Sequence, residues 1–272
     1  MKYKRKQAKL KSENKIIRKG VLYMYDFILL GATFAAAGIA KTCKGSCLIL
    51  ESRPQAGYEF ISALHFGTDY YLPVKSSLAQ SFHKTFLDRQ AISPDRICLF
   101  DCAAPFYQLL EGIPILLNTQ ILCVEKKEKG FLCTVHGVSG YRTFEATQII
   151  DTRCAPEMCV SKTYNLLIDG TGPVTLPPDV FQEPWGFSHN YILRCSVPLD
   201  ANYLTARKIA MDVLNTLPPS HKLVLLADDF DYQVKGSYPQ TKGGILQLPS
   251  KSYRNPILAL DAGACLTQGV AL

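Results

Sequence analysis

Tyr25-Asp26-Phe27-Ile28-Leu29-Leu30-Gly31-Ala32-Thr33-Phe34-Ala35-Ala36-Ala37-Gly38-Ile39-Ala40 is the stretch that decides the fold. Tyr25–Leu30 is a short, mostly apolar run that ends at a glycine, the pattern of a strand buried on both faces of a parallel sheet. Gly31-Ala32-Thr33 makes a turn, and the alanine-rich segment 34–44 predicts a helix that Gly45 closes. Cys47-Leu48-Ile49-Leu50 reads as a second buried strand, with Glu51 at its carboxyl end. The outcome is one β-α-β unit of about 27 residues, close to the shortest that a parallel crossover allows.

Such a unit is the usual cradle of a dinucleotide. A pyrophosphate needs a tight strand-to-helix turn, backbone that can approach the phosphates, and a helix N-terminus whose free amides and dipole favour negative charge. Gly31 fills the first position of the glycine fingerprint, Thr33 the second and Ala36 the third, with Phe34 between them. Thr33 departs from the pattern, because a β-branched side chain stands where the ligand needs room. Its hydroxyl can compensate by donating to a phosphate oxygen, or the substitution marks a lost site. Glu51, twenty residues after Gly31, is placed to accept hydrogen bonds from ribose hydroxyls, and Ser52 and Arg53 follow it.

Working outward, segments 57–65 and 76–90 have helical spacing, and 101–111 reads as a helix with Pro105 in its first turn. Segment 113–117 reads as a strand. Runs 121–126, 130–136 and 142–146, separated by polar turns, predict a three-stranded meander, after which Gln148-Ile149-Ile150-Asp151 returns as a strand. Prolines 173, 177, 178 and 184 punctuate the passage to a second region. That region offers strands at 164–168, 190–196 and 222–227 and a helix at 202–217. Segment 256–263 looks like a strand running into a small-residue turn.

Tyr25–Gly31, Ala36, Leu48–Glu51, Arg53-Pro54 and Gly57 resemble the opening of FAD-dependent oxidoreductases of the glutathione-reductase-like flavoprotein superfamily. Gly112–Ile121 is similar to that family's strand into a β-meander, and Ala146–Thr152 to the strand that leaves it. The resemblance implies an α/β fold: a Rossmann-like, three-layer FAD-binding domain with a β-meander and a smaller mixed α+β second region. It implies FAD as cofactor. Gly31, Thr33, Phe34 and Ala36 would face the phosphates, Glu51, Ser52 and Arg53 the ribose, and the backbone of Ile121 the adenine. Asp261, with Ala262, would approach the ribityl chain from a late motif at 259–263. Thr33 in place of glycine, Arg153-Cys154 where Thr-Gly is usual, and the short C-terminal segment are departures from the family pattern.

The expected organisation is a basic tail over 1–23, a cofactor domain over 24–160 and 255–272, and a substrate or cap region over 161–254. The formal charge of +7 belongs to the tail, where nine basic residues stand against Glu13 alone; the remainder carries 21 basic and 22 acidic side chains. That tail reads as a stretch upstream of a start at Met24, as a solvated arm, or as a nucleic-acid arm, the first being favoured. No run of 18 apolar residues predicts a membrane span, and ten cysteines without a secretion signal suggest a reducing, cytoplasmic setting. Cys43/Cys47 and Cys98/Cys102 lack zinc spacing, so no metal is expected. Cys154 and Cys159 fall nearer the expected flavin. His65 and Trp185 are candidates for a pocket wall, with packing as the alternative. No catalytic acid or base is singled out. The leading function is FAD-dependent oxidoreduction of a small molecule; the alternative is a cofactor-free relative that serves as a binding or structural protein.

Overall fold

The computed structural model describes residues 24–93, 96–172, 174–184 and 189–269. The basic tail and Trp185 lie outside these residues.

Two sheets organise the chain. In the first, β1 (Met24–Leu30) is flanked in parallel by β2 (Cys47–Leu50) and by the distal half of β8 (Gly140–Asp151). On the β2 side comes β5 (Ile115–Leu116), parallel, and on the β8 side β15 (Ile245–Gln247), parallel, with β14 (Gln240–Lys242) antiparallel at the edge. Residues 240–247, grouped above with the cap region, therefore join the first sheet. β3 (Ile92–Ser93) and β4 (Arg96–Ile97) form a separate short hairpin.

Three layers follow from the alternation of side chains along a strand. Leu29 and Ile49 face α1 (Phe34–Thr42) and its neighbours. Ile28, Leu30, Leu48 and Leu50 face the opposite way and pack on Phe131, Cys133 and Val135 of the meander. The meander consists of β6 (Gln120–Lys127), β7 (Gly130–Gly137) and the first half of β8. Runs 142–146 and 148–151, read separately from sequence, are one twelve-residue strand that is antiparallel to β7 at one end and parallel to β1 at the other.

Helices α2 (Ser77–Asp88) and α3 (Leu99–Leu110) cover the helical face. Pro105 sits in the middle of α3 and not in its first turn, because that helix begins at Leu99. Segment 57–65 forms turns, not a helix. α1 stops at Thr42, short of Gly45, where the Thr42 hydroxyl bonds back to the Gly38 carbonyl at 2.7 Å.

The second sheet centres on β9 (Cys159–Asp169), which is antiparallel to β11 (Asn190–Ser196), β12 (Lys222–Leu226) and β13 (Asp231–Val234); β10 (Val180–Pro184) pairs with β11. Tyr164, Leu166, Leu167 and Ile168 on β9 are fully buried, and α4 (Tyr203–Leu214) contributes buried Ala206, Ala210 and Val213 to the same core.

Segment 256–263 is the main reversal. It lies inside a helix, α5 (Pro256–Gln268), because Asn255 caps it by accepting from the Leu258 amide at 2.8 Å, Pro256 occupies the first helical position, and Gly269 ends it at φ +68°. Its small residues let α5 cross α1 with backbones in contact. A Cβ on Gly38 would fall on the Leu260 carbonyl oxygen, and a Cβ on Gly263 on the Ala35 carbonyl oxygen. Since both obstacles are backbone, Gly263→Ala is expected to destabilise the fold by about 3 kcal/mol, the upper range for overpacking. Chemical denaturation of Gly263→Ala against a substitution at an exposed position, Val138→Ala, measures the difference.

Candidate nucleotide cradle and the buried charge cluster beside it

The β1–α1 turn is built as the sequence predicts. Gly31 has φ +99°, accessible to glycine at little cost, and no room for a side chain: a Cβ there would lie 2.7 Å from Cγ of Arg153 and 3.1 Å from Oγ1 of Thr152. Thr33 caps α1, its Oγ1 accepting from the Ala36 amide at 3.1 Å and donating to Thr152 Oγ1 at 2.8 Å. The hydroxyl thus points into the protein and not to a phosphate position.

Three further amides of the turn are engaged by the chain itself. Ala32 N–H donates to Glu51 at 2.9 Å, Phe34 N–H to Oε1 of Glu59 at 2.8 Å, and Ala35 N–H to the Ser250 hydroxyl at 3.4 Å. Glu51, fully buried, also accepts from the Arg53 amide at 2.8 Å and the Ser52 hydroxyl at 3.3 Å. Ser250 donates to Glu59 Oε1 at 2.7 Å, while Glu59 Oε2 is buried without a hydrogen-bond partner. Burial pushes the Glu59 carboxyl up to about 7 despite those two hydrogen bonds and the nearby Lys251 charge.

Two arginines border the turn. Arg153 makes a bidentate pair with Asp151 at 2.9 and 2.8 Å, its stem over Gly31. Arg53 stacks 3.7 Å above the Tyr58 ring and pairs through Nε with Asp229, which also accepts from the Tyr203 hydroxyl at 3.0 Å. Arg53 therefore ties the cradle to the second sheet. Gly31, Thr33, Phe34, Ala36, Glu51, Ser52 and Arg53 all come together at the carboxyl ends of β1 and β2. Ile121 lies close by at the start of β6, two residues after Thr119, whose amide donates to the Glu51 carbonyl at 2.8 Å.

Asp261 and Ala262 do not join them. They sit in α5, where buried Asp261 accepts from the Lys75 amide at 2.9 Å, the Ser76 amide at 2.7 Å and the Ser76 hydroxyl at 2.6 Å, anchoring the start of α2. The late segment that reaches the cradle is 248–255, through Ser250. Without a periodic pattern, Ser250 and Glu59 carry no sequence signal of this role.

Beside the cradle, Asp231 gathers three basic side chains: His65 Nδ1 at 2.8 Å, Arg194 at 3.0 Å and Lys251 at 2.5 Å. Burial would raise the Asp231 carboxyl, but His65, Lys251 and Arg194 together hold it well below the usual range. Burial lowers His65 and outweighs the attraction of Asp231. These residues line a cavity of about 360 Å³, and Arg53, Tyr58, Tyr203 and Asp229 line another of about 440 Å³. A cavity of about 740 Å³ lies elsewhere, lined by Asp26, Gly45, Thr147 and Thr267, towards the strand ends opposite to those where α/β sheets bind ligands. The acids of Asp228-Asp229-Phe230-Asp231, directly after an apolar strand, are the signal that could have marked the cluster. Cys154 and Cys159 face each other at 3.1 Å, and burial raises both thiols, which keeps them protonated.

No family model and no curated protein sequence matches the chain. Solved structures do. BexE, a protein of oxidation during BE-7585A biosynthesis, superposes with a TM-score of 0.58 at 13% identity, covering 92% of this chain and 64% of its own. Glycine oxidase from Geobacillus kaustophilus gives 0.57 at 14% identity, covering 92% and 96%. Aklavinone-11 hydroxylase, solved with FAD and aklavinone, gives 0.51 at 11% identity, covering 90% and 61%. The fold is that of the FAD-binding Rossmann-like flavoproteins. The chain spans less than two thirds of the BexE structure. Among the described residues no helix is long and apolar enough to cross a membrane, and no group of three or more metal-ligating side chains converges.

The framework of the cradle fits a dinucleotide: positive-φ glycine, strand-end acid and helix N-terminus are in place. Glu59 accepts from the Phe34 amide at that helix N-terminus, and the Arg153 stem lies over Gly31. Two stability measurements follow. Thr33→Ala removes the α1 cap and is expected to cost about 1 kcal/mol, read by urea denaturation. Glu59 binds its proton more tightly folded than unfolded, so its contribution is complete below the unfolded value of 4.5 and is lost as pH rises towards 7. The melting temperature of the parent protein should fall relative to that of Glu59→Gln across that interval; parallel curves would contradict it.

Proposed function

We propose that the chain is an FAD-dependent oxidoreductase acting on a small molecule, with hydride transfer to or from the flavin as its reaction. The observation that carries the reading is the turn at Gly31, with its φ of +99°, opening α1 beside the strand-end acid Glu51. Gly31, Thr33, Phe34 and Ala36 would border the diphosphate, Glu51, Ser52 and Arg53 the ribose, and the backbone of Ile121 the adenine. The flavin, when bound, supplies the hydride chemistry, and the protein supplies binding, orientation and electrostatics. The two cavities lined by His65 and Arg194 and by Arg53 and Tyr203 are the space offered to substrate, between the second sheet and the cradle.

A specific observation favours a second reading, a cofactor-free relative that binds a ligand without turnover. The Ala32, Phe34, Ala35 and Ala36 amides of the α1 turn are already hydrogen-bonded within the chain. The full chain, desalted and mixed with FAD at pH 6, should quench flavin fluorescence and retain a visible flavin band through gel filtration, and Gly31→Val should abolish both. A folded, colourless protein that leaves FAD fluorescence unchanged would assign the second reading.

A further inference from the structure

The side chain at the mouth of the cradle that neither reading assigns is Glu59. It is anchored by the turn following Gly57, which folds back until the Glu59 carboxylate reaches the first turn of α1. One oxygen takes the Phe34 amide and the Ser250 hydroxyl; the other is buried with no hydrogen-bond partner. A buried carboxylate oxygen left bare is costly unless something offsets it. Here the offset is the helix N-terminus itself, which favours a negative charge at the place where nucleotide-binding helices favour a phosphate.

We infer that Glu59 is the resident anion of this cradle and decides whether a diphosphate enters it: the carboxylate and the ligand's phosphate oxygens are rivals for the Phe34 amide and the field of α1. This rests on the proposed nucleotide site. The rivalry is one of charge as well as space, because a carboxylate and a diphosphate within one helix turn repel each other across a dry interior. Protonated, the same side chain keeps its size and loses the repulsion, so ligand entry is coupled to uptake of one proton. The groups that face Glu59 from the elements around it are Lys251 on the 250–252 turn, Tyr58 beside it and Cys102 on α3. Lys251 is paired with Asp231, and burial raises Tyr58 and Cys102 so that both stay uncharged near neutrality. Glu59 is thus the group of this set that changes charge between pH 6 and 8.

The test is FAD binding by isothermal titration calorimetry to the full chain and to Glu59→Gln at pH 6 and pH 8, with ADP as a second probe lacking the flavin. Glutamine keeps an acceptor for the Phe34 amide, and circular dichroism confirms that it folds. The parent protein should lose about tenfold in affinity for both probes from pH 6 to 8, as a carboxyl titrating near 7 dictates; Glu59→Gln should bind tighter at pH 8 and show no such slope. Equal affinities and equal slopes for the two proteins would overturn the role of Glu59 and leave the flavoprotein reading intact. Binding by the variant alone would support the role of Glu59 while assigning the parent chain to the cofactor-free reading. Absence of binding by both would overturn both.

Discussion

The contact on which the rest of the molecule depends is the crossing of α1 and α5 at Gly38 and Gly263. With hydrogen atoms where side chains would be, the two backbones touch, and the first turn of α1 is thereby fixed against a helix that begins more than 200 residues later. The loop ahead of α5 brings Ser250 to the Ala35 amide, and Asp261 on α5 holds the start of α2. Three separate stretches of chain are positioned by one close approach. Dispersion over such a short interhelical distance is strong because many atoms meet at contact separation.

The electrostatic organisation depends on carboxylates that are buried and shared. Glu51 joins the β1–α1 turn to the strand end, Asp229 joins Arg53 to the second sheet, and Asp231 joins His65, Arg194 and Lys251. Each draws together segments far apart in sequence, and removing any one would strand buried donors or cations. The seam between the two sheets therefore combines these directional pairs with apolar packing, since one buried cluster runs from Leu29 and Phe60 to Leu166 and Ile192, and the cavities open beside the pairs.

How much of this was legible in the sequence depended on range. The β-α-β unit was, because strand, turn and helix are local patterns with a period and a glycine to punctuate them. The meander was as well, although its last strand and the exit strand proved continuous; no turn residue separates Ala146 from Gln148, and the apparent break was only a change of face. Pro256–Gly263 misled because its apolar run is short and rich in Ala and Gly, while the Asn255-Pro256 start signal that decides for helix lies just upstream. Glu59 and Ser250 were invisible for a different reason: their partners are 25 and 215 residues away, and nothing in a single sequence records such a pairing.

Strand β8 carries a mechanical consequence. Because it pairs with β7 through Ala146 and with β1 from Glu145 onward, a slip of one residue would have to break an antiparallel and a parallel ladder at once, and would turn every side chain to the wrong layer. The meander and the β1–α1 turn are in effect one plate. The turns at 57–65 and 248–255 are fastened to that plate at a few points only, by the Gly57 amide on the Ala32 carbonyl and by the Leu248 and Ser250 amides on the Asp151 and Thr152 carbonyls, so a strain on either turn is passed straight to the ends of β1 and β8.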